Sequence, residues 1–127
     1  MPSRPTLLFA ALFVALPAVV FAAAGLVGTM KQWNGGDRAA GAMLTGHAAY
    51  SADALRATLT AYVADGNRLA ARANGNSAEA RDFHNRFLSF AADSQAALAV
   101  VGDPHAESGA YSRISGDCQS CHNIYRN

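Results

Sequence analysis

Cysteine is scarce in this chain of 127 residues: Cys118 and Cys121 are the only two. The pair alone admits a disulfide, a redox-active dithiol or half a zinc site. A zinc site needs two more ligands at matching spacing, and His47, His84 and His105 are scattered singletons. Charge of one sign is also missing. Ten basic residues stand against nine acidic ones, for a formal net charge of +1, and no basic run interleaves with aromatics. Nothing therefore points to nucleic acid. There is no apolar/polar alternation of strand type, no internal repeat and no low-complexity tract. Paired carboxylates, a nucleophile beside a base and a phosphate-cradling glycine loop are absent as well, which argues against an enzyme; Gly35-Gly36 reads as a linker.

The last absence is of charge between Arg4 and Lys31, where Leu7 to Met30 reads LLFAALFVALPAVVFAAAGLVGTM. As a helix this stretch would reach about 36 Å, enough to span a bilayer, with Pro17 tolerated as a kink. The competing reading is a cleaved signal peptide, with Arg4 as its positive start, Leu7 to Leu16 as its apolar stretch and Ala22-Ala23-Ala24 as the cleavage site. Both readings export the rest of the chain. The expected organisation is an anchor or signal segment over residues 1–33 and a helical domain over 34–127. The domain would be tethered at the periplasmic side of a bacterial inner membrane or, after cleavage, soluble in the periplasm.

Helical signals fill that domain. Asn34-Gly35-Gly36-Asp37 reads as a turn, with Asp37 able to cap a following helix. From Ser51, a cap residue, Leu55, Leu59, Tyr62, Val63, Leu69 and Ala70 recur at helical spacing. Asn74-Gly75-Asn76 breaks the pattern, and Asn76 with Glu79 resembles a capping box. Phe83, Phe87, Phe90, Leu98 and Val101 form the next apolar stripe. Asp103-Pro104 then opens a last helix. Short connections between long helices force antiparallel neighbours, so the fold class is all-α, an antiparallel helical bundle.

What is present in the last helix decides the chemistry. Tyr111, Ile114, Cys118, Cys121, His122 and Tyr125 share one face, and Cys118-Gln119-Ser120-Cys121-His122 is the attachment pattern of a covalent c-type haem. Thiols three residues apart on a helix can reach the two vinyl groups along one porphyrin edge, and the adjacent imidazole can then meet the iron. A thioredoxin-like dithiol would sit at a strand-to-helix junction, and no such pattern exists.

Cys-x-x-Cys-His-x-x-Tyr-Arg near the end of a helical bundle resembles the class II cytochromes c, the group of cytochrome c′ and its methionine-ligated relatives. The resemblance spans approximately Tyr50 to Asn127 and is strongest over Gly116 to Arg126. It implies a four-helix bundle with one haem c on Cys118 and Cys121, His122 as proximal iron ligand, and Arg126 beside the proximal haem face. Arg126 also fits a solvated arginine favoured by the helix C-terminus. The family's first helix supplies the residue facing the distal side of the iron. Here the glycine break leaves too little chain for it, so that helix is either truncated or fused to the apolar segment. Truncation favours Met43 as distal ligand, following Arg38 at nearly the family's spacing; fusion brings Met30 or Trp33 near the haem. His47 lies in a loop, His84 flanks the phenylalanine stripe, and His105 falls about 25 Å along the helix from His122. The resemblance implies an electron carrier, alone or in a membrane electron-transport complex, whose partners are redox proteins or a second copy of the chain. The alternative is a five-coordinate protein binding nitric oxide or carbon monoxide.

Overall fold

A computed structural model describes residues 25–126, which form four helices: α1 (Leu26–Leu44), α2 (Ala52–Arg72), α3 (Ala78–Ala99) and α4 (Pro104–Tyr125). Each of the last three begins where a polar side chain satisfies otherwise unpaired backbone donors. The Ser51 Oγ accepts from the Ala54 N–H at 3.1 Å, and the Ser77 Oγ accepts from the Ala80 N–H at 3.0 Å. The Asp103 carboxylate accepts from His105 and Ala106, with Pro104 in the first turn. Ser77, not Asn76, is thus the cap of α3, since its extended backbone aims the hydroxyl at the first turn.

Connections of a few residues make consecutive helices antiparallel, with the most extensive packing between α2 and α3. Leu55, Leu59 and Ile114 lie at the fully buried centre, joined by Tyr62, Leu69, Phe87 and Phe90. This topology gathers the start of α1, the end of α2, the start of α3 and the end of α4 at one end of the bundle. The opposite end is fastened by the buried Glu107, whose Oε2 accepts from the Tyr50 hydroxyl at 2.9 Å and the Gly102 N–H at 2.8 Å. Gly102 adopts φ +95°, a conformation that side chains disfavour.

The first helix departs from expectation. Asn34-Gly35-Gly36-Asp37 is not a linker: α1 runs through it for 19 residues, scarcely shorter than the 21 of α2. It also crosses the expected 33/34 boundary. Two glycines cost a helix roughly 2 kcal/mol relative to alanine. Burying the ~200 Å² of a tryptophan contributes about 5 kcal/mol at most, and Trp33 is buried. Its ring stacks on Phe90 at 4.2 Å, its Nε1 donates to Asp65 Oδ2 at 3.2 Å, and its carbonyl accepts from the Tyr62 hydroxyl at 3.0 Å. Gly36 permits that contact, because a Cβ there would lie 3.0 Å from the Tyr62 hydroxyl oxygen. Asp37 is no cap; its Oδ1 accepts from the Tyr111 hydroxyl at 2.8 Å.

Arg4, Leu7 to Leu16, Pro17 and Ala22-Ala23-Ala24 lie outside the described residues. Among the described residues no helix is long and apolar enough to cross a membrane. The end of the apolar stretch instead enters the bundle: Thr29 is fully buried, and its hydroxyl accepts from Arg68 at 3.0 Å.

Candidate cofactor-binding site

Cys118, Cys121 and His122 occupy the last two turns of α4 and are each partly buried. They face a small cavity of about 30 Å³, walled by Met30 and Trp33 of α1 and Phe87 and Phe90 of α3. Because α1 is continuous through the glycines, it brings Met30 and Trp33 to the same cavity as Cys118, Cys121 and His122.

Met43 is elsewhere. It lines a separate cavity with Tyr50, Pro104 and Glu107. Glu107 lies fifteen residues before His122 on α4, about 22 Å along the axis, so Met43 is at the wrong end of the bundle for an iron held by His122. The cause is the continuous α1: without a glycine break, the residue opposite His122 comes thirteen positions earlier. Arg38 is exposed on the same helix, two turns beyond Met30. Arg126 caps α4, its N–H donating to the His122 carbonyl at 3.1 Å, and its side chain is exposed.

The remaining histidines have separate roles. His47 Nδ1 pairs with the Thr45 hydroxyl at 2.9 Å, His84 Nδ1 with the Ala70 carbonyl at 2.8 Å, and His105 sits in the first turn of α4. Among the described residues no three His, Cys, Asp or Glu side chains converge as a metal cage.

Electrostatics bears on the thiols. Burial, with the Asp37 and Asp117 carboxylates adding to it, pushes the Cys118 thiol up to about 11, and burial raises Cys121 as well. Redox-active dithiols work through a thiolate stabilised by a helix N-terminus or nearby cations. This pair sits at a helix C-terminus, the negative end of the dipole, which favours the neutral S–H. Such thiols are poorly suited to attack on a disulfide.

A polar frame holds the neighbourhood. Asp82 accepts from Arg86 Nε at 2.7 Å and from the Tyr125 hydroxyl at 2.6 Å, and Arg86 reaches Ser120 at 2.8 Å. These bonds tie α3 to the end of α4, and the Tyr125 and Phe83 rings stack at 4.3 Å. The Tyr125 and Arg86 donors hold the Asp82 carboxyl below its usual range.

Asp117, one residue before Cys118, has a buried Oδ2 with no hydrogen-bond partner. Burial, together with the facing Asp93 carboxyl, raises it to about 6. A carboxyl raised above its ordinary 3.8 contributes stability fully below that value and loses it as pH rises through about 6. Discounted for solvent screening, the effect is about 1 kcal/mol, or roughly 4–8 °C in melting temperature. Asp82 works in the other direction, but its contribution is lost only below about pH 4. The melting temperature should therefore fall between about pH 4 and pH 6.5, and Asp117→Asn should largely remove that fall. Parallel curves for the two proteins would refute the assignment.

A second apolar space adjoins the first. Leu26, Leu69, Phe83 and Phe87 line a groove of about 420 Å³ between α1, α2 and α3, and Phe87 is a wall of both spaces. Pockets for large organic ligands run from about 300 to 1,000 Å³, so this end of the bundle has the apolar surface a large planar group needs, which the smaller cavity alone lacks.

No protein-family model, curated protein or solved structure matches the chain.

Proposed function

We propose that this chain is an exported c-type cytochrome that carries single electrons through one haem, attached by thioether bonds at Cys118 and Cys121. The observation that carries the reading is the convergence of two neutral thiols, the His122 imidazole and the Met30 thioether on one cavity walled by Trp33, Phe87 and Phe90. The donor chemistry fits: two tethers, one nitrogen ligand and one sulfur ligand. A haem held there supplies a one-electron ferric/ferrous couple.

His122 would supply the nitrogen ligand to the iron in this reading and Met30 the sulfur ligand, a role for which Met43 is too remote. Trp33, Phe87 and Phe90 would shield a group held there from water, which favours the less charged state of a redox centre. The four-helix bundle, with the attachment pair at the end of its last helix, supports a class II cytochrome of the methionine-ligated kind. Its partners are redox proteins that approach the end of the bundle where α4 finishes.

Export is assigned to residues 1–24. Cleavage after Ala22-Ala23-Ala24 would make that segment a leader and leave a periplasmic protein; retained, the uncharged stretch Leu7 to Ala24 would be long enough for an anchor.

The test is an absorption spectrum of the reduced protein with and without carbon monoxide. A six-coordinate carrier gives a low-spin spectrum that the gas leaves unchanged. A high-spin spectrum that shifts with carbon monoxide would instead establish the five-coordinate, gas-binding alternative and refute ligation by Met30.

A further inference from the structure

We propose that the end of the bundle holding Cys118, Cys121 and His122 is a docking face for an acidic protein surface, recognised by Lys31, Arg72, Arg81 and Arg126 together with the exposed apolar side chains of Leu26, Val27 and Ile124. The redox role of such a partner rests on the haem reading; the asymmetry of charge that selects it does not. Among the described residues, exposed charge is divided unevenly along the bundle. In the half nearer the attachment pair, Lys31, Arg72, Arg81 and Arg126 are the exposed basic residues and Glu79 is the exposed acidic one; Asp65, Asp82 and Asp117 are partly buried there. In the opposite half the exposed charges cancel, Arg38, Arg56 and Arg113 standing against Asp37, Asp53 and Asp103.

Each helix contributes one of the four cations where it reaches this end: Lys31 on α1, Arg72 in the last turn of α2, Arg81 near the start of α3 and Arg126 just past α4. Arg72 also interacts within the fold, and it counts here for its charge alone. Asp65 and Asp82 do not offset the excess, because each is already bound by an arginine, Arg68 at 3.0 Å and Arg86 at 2.7 Å. Exposed apolar side chains stand at the same end. Leu26 and Val27 open α1, Ile124 lies in the last turn of α4, and Val27 is 70% exposed. Leu26 and Arg72 also line the groove between α1, α2 and α3. Apolar contacts with arginine among them are typical of protein interfaces, and a planar guanidinium takes a carboxylate with two parallel N–H donors. Negative charge on the partner speeds the encounter and turns it toward this end. An anionic membrane offers negative charge as well, but segments that bind lipid carry several cations in a run. Here the cations come singly from four helix ends, with Glu79 among them.

The experiment maps the binding of poly-L-glutamate to the reduced, ¹⁵N-labelled holoprotein by NMR, with poly-L-lysine and vesicles of phosphatidylglycerol as the other probes. Poly-L-glutamate should shift amide signals at the start of α1, the end of α2, the start of α3 and the end of α4, and leave those around Asp53 and Asp103 in place. Its affinity should fall roughly tenfold between about 50 and about 300 mM salt. Lys31→Glu combined with Arg81→Glu should weaken it roughly tenfold, while Arg56→Glu, at the other end, should leave it unchanged. Both replaced side chains are exposed, so the bundle is retained. Shifts spread over both ends, an affinity unmoved by the charge reversal, or an equal response to poly-L-lysine would overturn the proposal. Binding to the vesicles with no response to poly-L-glutamate would overturn it too, in favour of a membrane surface. Poly-L-glutamate bound at this end of protein that carries no haem would uphold the docking face and refute the electron-transfer reading alone.

Discussion

Replacing Cys118 and Cys121 together by serine should leave exported protein that carries no haem through a denaturing gel, whereas the wild type should stain for haem on the same gel. Serine has nearly the size of cysteine, and both side chains are only partly buried, so the bundle should retain its helical circular dichroism. What is lost is the S–H that adds across a vinyl group. The loss is expected to be complete, because a hydroxyl forms no thioether under these conditions. Each single variant keeps one tether and should hold haem in reduced amount. Haem staining of the double variant would show that the attachment lies elsewhere. Together with helical circular dichroism, its loss would separate a chemical role for the thiols from a merely structural one.

The second large effect concerns Met30. Met30→Ala should convert a low-spin haem into a high-spin, five-coordinate one that binds carbon monoxide when reduced, while Met43→Ala should leave the spectrum unchanged. Met30 lines the cavity with His122, and Met43 packs near Glu107 at the other end of α4. Removing a half-buried methionine also costs packing, so some loss of thermal stability is expected in Met30→Ala. Met30→Leu keeps most of that packing and lacks only the sulfur. It should give the same spectral change with a smaller stability loss, which isolates ligation from core filling. The reverse pattern, a changed spectrum in Met43→Ala and an unchanged one in both Met30 variants, would mean that α1 is arranged differently on the iron's distal side.

The sequence made most of three helices legible because their signals are local. The apolar series from Leu55 to Ala70 is the buried face of α2, and Ser51 and Asp103-Pro104 cap where their chemistry indicates. The two thiols and the imidazole needed no tertiary information either, since all three lie within five residues. The first helix was not legible for a physical reason. A glycine pair ordinarily breaks a helix, and what overrides it is the stacking of Trp33 on Phe90 and the Tyr62 hydroxyl bonded to the Trp33 carbonyl. Those contacts join residues about thirty to sixty positions apart. One local signal was available: Thr29, Trp33 and Ala40, all buried, continue a single helical face across the glycines.

The polar frame was hidden for the same reason. Nothing local pairs Asp82 with Tyr125, Arg86 with Ser120 or Asp93 with Asp117. Only the antiparallel register of α3 and α4 brings them together. The groove with Arg72 likewise exists only once three helix ends meet.

The central claim is that Cys118 and Cys121 carry a haem. The most direct measurement is the intact mass, under denaturing conditions, of the chain expressed in a host that attaches haem to exported proteins, followed by sequencing of the coloured peptide. The account predicts a polypeptide that lacks its leader and is heavier by one haem, with the added mass on the peptide containing Cys118 to His122. The bare polypeptide mass, obtained from a host that loads other c-type cytochromes in the same experiment, would contradict it.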